Sequence, residues 1–263
     1  MKNRKKIIII STLSVIILLL AIIFSFSDLQ KNTFSTRIED EKEYVLNYQD
    51  KVFDTVGWIQ VQGTNIDYPV VFHEDGESAY PVEVSSYAWL SNYEVGFHNH
   101  IQIAGHNIFN LSSKPELHSE LFERFEELLG FVYYDFARKN QYIQLTMDGK
   151  EYLYKIFAVA FLPTVQRLEF PLKDDYTRKE MNHFLKIIQN NSIYDYGVDV
   201  NNKDSIITLL TCTRFFGDTS YDFRVVGRLL RDGEKVTSYS VKKSNNYDDI
   251  NRLLKGDEED ENL

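Results

Sequence analysis

Short strand-like runs separated by turn signals fill most of this chain between residues 52 and 230, and they constrain its fold more than any other feature. VGWIQVQGTNIDYPVV (56–71) predicts two strands joined by a turn at Gly63-Thr64-Asn65. Further runs lie at residues 101–105, 131–135, 142–147, 151–162, 205–212 and 223–230. Asp148-Gly149, between two of these runs, predicts a type I′ hairpin. Helical periodicity is confined to about 118–129 and 177–190, so we predict a mainly β fold, a closed β-barrel with a few short helices.

The first 26 residues predict a membrane anchor. Residues 2–6 read KNRKK, and residues 7–26 carry no charge. As a helix rising about 1.5 Å per residue, that stretch would span roughly 30 Å, the thickness of a bilayer core. The basic cluster places the N-terminus in the cytoplasm and the remainder of the chain outside. A cleaved signal peptide is the alternative, but its apolar region is normally about 7–15 residues long and ends in a small-residue cleavage site, neither of which is found here.

Composition divides the chain into five parts. A basic cytoplasmic segment (1–6) and the transmembrane anchor (7–26) precede a stalk with an N-terminal helix near 37–48 (27–50). The β-rich domain follows (51–232), and then a polar acidic tail (233–263) with at most a short helix near 248–254. The net charge is −10, which excludes a general nucleic-acid binder, since such proteins carry a basic footprint. The run DEEDE (257–261) is typical of a solvated end.

Cys212 is the only cysteine in the chain, so no internal disulfide holds the fold. It ends the run SIITLLTC, and turn-like residues beginning with Thr213 and Arg214 follow. A thiol presented at a strand end beside a cation is a candidate nucleophile. A small apolar core residue is the alternative, because free cysteine is often buried.

Two further residues are candidates for chemistry. His106, in IAGHN (103–107), leaves a strand through a glycine and suits a general acid or base, although a hydrogen-bonded loop histidine is the alternative. Arg224 shares one face of its strand with Arg228 by period-two counting. It is either an oxyanion donor or half of a surface salt bridge. His98 and His100 would share a strand face, but no cysteine or well-spaced carboxylate completes a tetrahedral set, so we predict no metal.

Together these fragments resemble a sortase. TLLTC (208–212) matches the family's TLxTC motif, IAGHN carries the family's histidine upstream, and an arginine lies on the strand after the cysteine. VGWIQVQGTNIDYPVV and YLYKIFAV (152–159) resemble strands of class B sortases, a class that includes pilus-associated members. The resemblance covers residues 52–230 and implies that 51–232 is a sortase catalytic domain, a sortase-like closed β-barrel.

The resemblance also implies a chemistry and a setting. Cys212 would attack the Thr carbonyl of a C-terminal sorting motif and form a thioester, His106 would transfer the protons, and Arg224 would stabilise the oxyanion. Thr211 and Asn107 would contact substrate, and no cofactor would be needed. The partners would be secreted surface proteins or pilins, with a peptidoglycan precursor or a pilin lysine as the amine acceptor, at the outer face of a Gram-positive membrane.

Two departures leave alternatives open. Arg224 follows Cys212 by twelve residues in a strand that is compact compared with class B relatives, so Arg228 and Arg214 are rivals. Residues 28–50 contain no aspartate-plus-aromatic lid motif, which favours class B without excluding pilus assembly. Two other functions compete: a non-catalytic β-barrel binding module, and a hydrolytic cysteine protease that uses the same thiol.

Overall fold

The computed structural model describes residues 54–72, 88–107, 110–117, 125–165 and 173–255. The strands are β1 (Asp54–Val61), β2 (Asp67–Phe72), β3 (Ala88–Leu90), β4 (His100–Gly105), β5 (Tyr142–Met147), β6 (Lys150–Pro163), β7 (Tyr194–Asp195), β8 (Ile206–Thr213), β9 (Tyr221–Leu229) and β10 (Lys242–Lys243). The helices are a 3₁₀ helix (Phe125–Val132), α1 (Tyr134–Ala137), α2 (Arg178–Asn191) and α3 (Tyr247–Lys255).

The predicted anchor, stalk and first helix, together with the acidic run at 257–261, lie outside the described residues. Within the described ranges, no helix is both long enough and apolar enough to cross a membrane.

Eight strands close into a barrel in the order β1-β2-β3-β4-β8-β9-β6-β5. This confirms the predicted closed, mainly β fold. The hairpin between β5 and β6 is also confirmed, because Asp148 (φ 52°) and Gly149 (φ 67°) both have the positive φ that a type I′ turn requires. Closure leaves these eight strands without an open edge.

The strand predicted at 131–135 is wrong. Phe131 and Val132 end the 3₁₀ helix, and α1 begins at Tyr134. Every residue of the 3₁₀ helix is buried, and it contacts β4, β8 and β9. In a short apolar run that is buried on all sides, polar residues do not recur with the period of a helix or of a strand. The hydrophobic pattern therefore could not distinguish the two, and the prediction failed. Of the helix predicted at 118–129, residues 118–124 lie outside the described residues, and 125–129 are helical in the 3₁₀ form.

Helix α2 confirms the helical stripe at 177–190. Thr177 and Glu180 form a capping box at its start, which satisfies backbone N–H groups that the first turn leaves unpaired. Its apolar face packs on strands β6, β8 and β9 through a cluster of buried side chains that includes Phe184, Ile188 and Val226. Because an eight-stranded barrel has room only for side chains inside, this helix lies on the outside and marks Val226's face as the outer one.

The segment after β9 packs onto the barrel instead of leaving it. Strand β10 pairs with β7, and the helix predicted near 248–254 is α3. Tyr239 donates its hydroxyl hydrogen to the carbonyl oxygens of Gln141 or Ile156, each 2.7 Å away. Val241 and Ile250 are buried. The polar composition of residues 233–255 predicted none of this packing.

Glu234 ties the start of that segment to the barrel. Its carboxylate accepts hydrogen bonds from both Nη atoms of buried Arg228 at 2.8 Å and from Nζ of Lys155 at 2.6 Å. The bonds from Arg228, followed by those from Lys155, hold the pKa of Glu234 well below its ordinary value. A carboxyl whose pKa is lowered by folding stabilises the native state at neutral pH, and that stabilisation is lost as the pH falls.

We predict that Glu234→Gln lowers the free energy of unfolding at pH 7 by about 2 kcal/mol, because Arg228 then keeps a buried charge without its carboxylate. Urea unfolding at pH 7 and pH 3 measures the effect. The difference from the unsubstituted protein should shrink at pH 3, where Glu234 is already losing its charge in the unfolded chain. Asp249→Asn, which removes an exposed pair with Arg252, is the control and should change stability by less than about 0.5 kcal/mol. Equal effects of the two substitutions would contradict the assignment.

Candidate active site

Cys212 lies one residue from the end of β8, on the outer face of the barrel. Its neighbours Thr211 and Thr213 are buried, whereas Cys212 is exposed, as the alternation of side chains along a strand requires. Leu209 and Ile207, on the same side as Thr211, lie in the barrel interior with no exposed surface. The thiol is therefore presented at the surface, and the alternative of a buried core cysteine does not hold.

His106 is brought beside Cys212 by the parallel pairing of β4 with β8. Gly105, the last residue of β4, pairs with Thr211, so the next position along each strand carries His106 and Cys212. His106 is half-buried, and its ring packs against Trp89 with the centroids 4.8 Å apart. The two ring planes are tilted by 55°, so the imidazole rests against a buried indole at the edge of the strand pair.

Arg224 comes to the same face from β9. The antiparallel register pairs Leu210 with Arg224 and Cys212 with Asp222, so Arg224 lies diagonally across from the thiol. Since residues paired across strands share a face, Cys212, Asp222 and Arg224 all point outward. The Arg224 side chain is 2% exposed, and its Nη2 lies 3.7 Å from Oδ2 of Asp222. Sequence reasoning missed Asp222, although period-two counting back from Arg224 places it on that face.

A neutral histidine packs next to Arg224. His100 has no exposed surface, and burial, followed by the charge of Arg224, lowers its pKa to about 3. Its Nε2 lies 2.9 Å from the Thr208 hydroxyl, and its ring packs against Tyr176 and Phe184. Burial raises the pKa of Tyr176 to about 12, so its phenol also stays neutral. The charge of Arg224 thus acts on two side chains that burial keeps uncharged, and Asp222 is its ionic neighbour on β9.

Thr211 and Asn107, predicted to contact substrate, both make hydrogen bonds within the protein; for Asn107, substrate contact stays a prediction. Thr211 faces the interior and donates its hydroxyl hydrogen to the Gly105 carbonyl over 2.8 Å. The amide of Asn107 donates to the Cys212 carbonyl at 2.9 Å and to that of Asn110 at 3.0 Å. Thr211 has the parity opposite to Cys212, so its side chain cannot reach a ligand on the outer face. Both residues lock the end of β4 onto the end of β8.

The rival arginines are placed differently. Arg228 pairs with Ile206, six residues before Cys212, and Glu234 binds both of its Nη atoms. At roughly 3.3 Å per residue, that puts Arg228 about 20 Å along the strand from the thiol. Arg214 is exposed in the turn that follows β8.

His98 and His100 do not form a metal pair. His98 lies on the loop before β4, with Nδ1 3.5 Å from Oδ2 of Asp175 and Nε2 3.9 Å from Oδ1 of Asp174, whereas His100 is enclosed against α2. In the part of the chain that the structure describes, no three His, Cys, Asp or Glu side chains are grouped to hold a metal ion.

Known proteins are similar to this chain in sequence and in fold. A sequence profile of the sortase domain matches residues 59–230. Sortase B of Listeria monocytogenes is 26% identical over 219 residues, covering 79% of this chain and 80% of that protein. Sortase B of Staphylococcus aureus is 24% identical over 183 residues, covering 68% of this chain and 71% of that protein. The crystal structure of the S. aureus protein has the same fold, with a TM-score of 0.58 at 19% identity over 80% of this chain and 97% of the other.

We predict that iodoacetamide modifies the folded protein at one site, because Cys212 is exposed and is the chain's sole thiol. Mass spectrometry should show a single adduct on Cys212 without denaturant, and Cys212→Ala should show none. Modification that occurs only after unfolding in guanidinium would mean that the thiol is buried.

Proposed function

Because this chain belongs to the sortase family, and to its class B, we propose that it cleaves a C-terminal sorting motif of secreted proteins with Cys212 and joins the new carboxyl end to an amine. The chain is a cysteine transpeptidase. What is proposed for it is the assignment of roles to its residues, the nature of its partners and its attachment to the membrane.

The observation that carries the residue assignment is the strand register. Parallel pairing of β4 with β8 and antiparallel pairing of β8 with β9 put an imidazole, a thiol and a guanidinium on one outer face, from positions 106, 212 and 224 of the chain. The thiol is the exposed member of the three, as attack on an extended peptide requires.

In the first half of the reaction, the Cys212 thiol passes its proton to His106 and its sulfur attacks the Thr carbonyl carbon of the sorting motif. A C–S bond forms, and the carbonyl oxygen takes up the electron pair as an oxyanion. His106 donates a proton to the departing amine as the peptide C–N bond breaks, which leaves a thioester. Arg224 supplies N–H donors and a positive charge to the oxyanion.

In the second half, an amine attacks the thioester. His106 takes the amine's proton, a new C–N bond forms, and the C–S bond breaks to return the thiolate. We propose a peptidoglycan precursor or a pilin lysine as the source of this amine. If water replaced the amine, the same residues would hydrolyse the thioester, so product analysis distinguishes transpeptidation from proteolysis.

We predict that Cys212→Ala abolishes ligation, with a loss of at least about 10³-fold, and that His106→Ala lowers kcat/KM by roughly 10²–10⁴-fold. Arg224→Lys should cost about 10²-fold, because an ammonium cannot reproduce the planar set of donors. The assay incubates the protein with a panel of sorting-motif peptides plus glycine or lysine amines and detects ligated product by mass spectrometry. His98→Ala and Arg214→Ala are the controls and should stay within about threefold of the unsubstituted protein.

Two outcomes would contradict these assignments. Ligation by folded Cys212→Ala would refute the thioester route and favour a binding module. A larger loss from Arg214→Ala than from Arg224→Lys would move the arginine's role to the turn after β8.

We also propose that residues 7–26 anchor the protein as a single-pass helix, with the N-terminus in the cytoplasm and the catalytic domain outside. The support is the uncharged twenty-residue stretch and the basic KNRKK before it. A tether would keep the enzyme where secreted substrates and lipid-linked acceptors emerge.

We predict that the full chain stays in the membrane pellet after an alkaline carbonate wash, and that Leu18→Arg with Leu19→Arg releases it. Each arginine at the centre of a membrane helix costs about 2.5–3.5 kcal/mol on insertion scales. Recovery of a shortened chain in the medium, lacking residues 1–26, would establish a cleaved signal peptide instead.

A further inference from the structure

A buried carboxylate lies directly across from the exposed thiol. Asp222 pairs with Cys212 in the register of β8 and β9, and neither the transpeptidation chemistry nor the sequence motifs use it. Its side chain is 1% exposed, with Oδ2 3.7 Å from Nη2 of Arg224. Paired residues on one face of an antiparallel sheet have Cβ atoms about 4.5–5.5 Å apart, so the Asp222 and Cys212 side chains leave the sheet side by side. A negatively charged carboxylate next to a thiol makes formation of the thiolate less favourable, because like charges repel. A buried acid at this position therefore opposes the reaction unless it has another role in the site.

We propose that Asp222 is a positioning residue of this active site: it holds Arg224 in place and opposes ionisation of Cys212 in the resting enzyme. This inference rests on the proposed function. The Asp222 carboxylate competes with the Cys212 thiolate for the Arg224 guanidinium. The guanidinium therefore does not pair with the sulfur, and its N–H donors stay available for the oxyanion. The thiol keeps its proton until His106 can receive it.

The charged and titratable groups around the Cys212 thiol come from β4, β9 and the turn after β8. His106 faces it from the end of β4, Asp222 and Arg224 from β9, and Arg214 follows it in its own turn. On β6, the residue paired with Asp222 is Leu162, which carries no charge. Behind Arg224, His100 and Tyr176 are held neutral by burial. Among the described residues on this face, Asp222 is therefore the acidic side chain whose charge opposes formation of the Cys212 thiolate.

The test is the pH dependence of Cys212 alkylation in the full chain, measured with iodoacetamide and no peptide present. Asp222→Asn keeps the side chain's size and removes its charge. We expect the midpoint of the rate profile to fall by roughly one pH unit, because the thiolate no longer meets a carboxylate. In the ligation assay, kcat should fall about tenfold as Arg224 moves toward the sulfur, with KM changed less than threefold.

Asp218→Asn is the matched control. Asp218 lies in the β8–β9 connection, four residues before Asp222, but it is exposed and accepts a hydrogen bond from the backbone N–H of Ser220 over 2.9 Å, so Asp218→Asn should leave the alkylation profile unchanged. An Asp222→Asn profile that matches the unsubstituted protein within about 0.2 pH units would overturn the proposal. Because alkylation needs no substrate, this result is distinct from a failure of ligation itself.

If the Asp222→Asn variant does not fold, the same measurements are made on Asp222→Glu. The longer acid keeps the charge but displaces its oxygens, so the alkylation midpoint should stay within about 0.3 pH units while kcat falls at least fivefold. An unchanged kcat would show that the carboxylate does not position Arg224.

Discussion

The pairing of β8 between a parallel and an antiparallel neighbour is the constraint on which the site depends. On one side, Gly105 pairs with Thr211, and on the other, Asp222 pairs with Cys212. Side chains alternate along a strand, so a slip of one residue in β8 would turn the thiol into the barrel and bring Thr211 out. The hydroxyl of Thr211, bonded to the Gly105 carbonyl, and the interior packing of Leu209 oppose such a slip. Stability and chemistry are therefore carried by alternate residues of the same strand.

The sequence located most of the barrel because its signals were local. The positive φ of Asp148-Gly149 and the apolar stripe of α2 each follow from a few adjacent residues. The strand prediction at 131–135 failed because a segment that is buried on all sides lacks the alternation of apolar and polar residues that identifies a strand. The packing of residues 233–255 was missed because Tyr239 and Val241 bond and pack across the molecule, which composition alone does not show. Motifs proposed Cys212, His106 and Arg224 as site residues, whereas Asp222 belongs to none of these motifs, and the register of β8 and β9 is what pairs it with Cys212.

Arg224 and Arg228 lie on the same face of β9 but have different surroundings. Arg228 is bound by Glu234 through two bonds of 2.8 Å, which ties the C-terminal segment to the barrel. Arg224, four residues earlier, lies 3.7 Å from Asp222 and beside rings kept neutral by burial. Close bidentate pairing holds a guanidinium in a structural role, while a looser partner leaves it able to respond to charge that appears nearby. Position along one strand thus separates a structural cation from one suited to chemistry.

The parallel contact between β4 and β8 joins residues more than a hundred positions apart, and this has a consequence for how the protein acquires its reactivity. Closing so long a loop is slow and entropically costly, so such contacts form late, when the rest of the structure already rewards them. Until then Cys212 has no imidazole beside it and is an ordinary thiol in an unfolded chain. The proposed nucleophile therefore gains its imidazole neighbour only when β4 and β8 have paired.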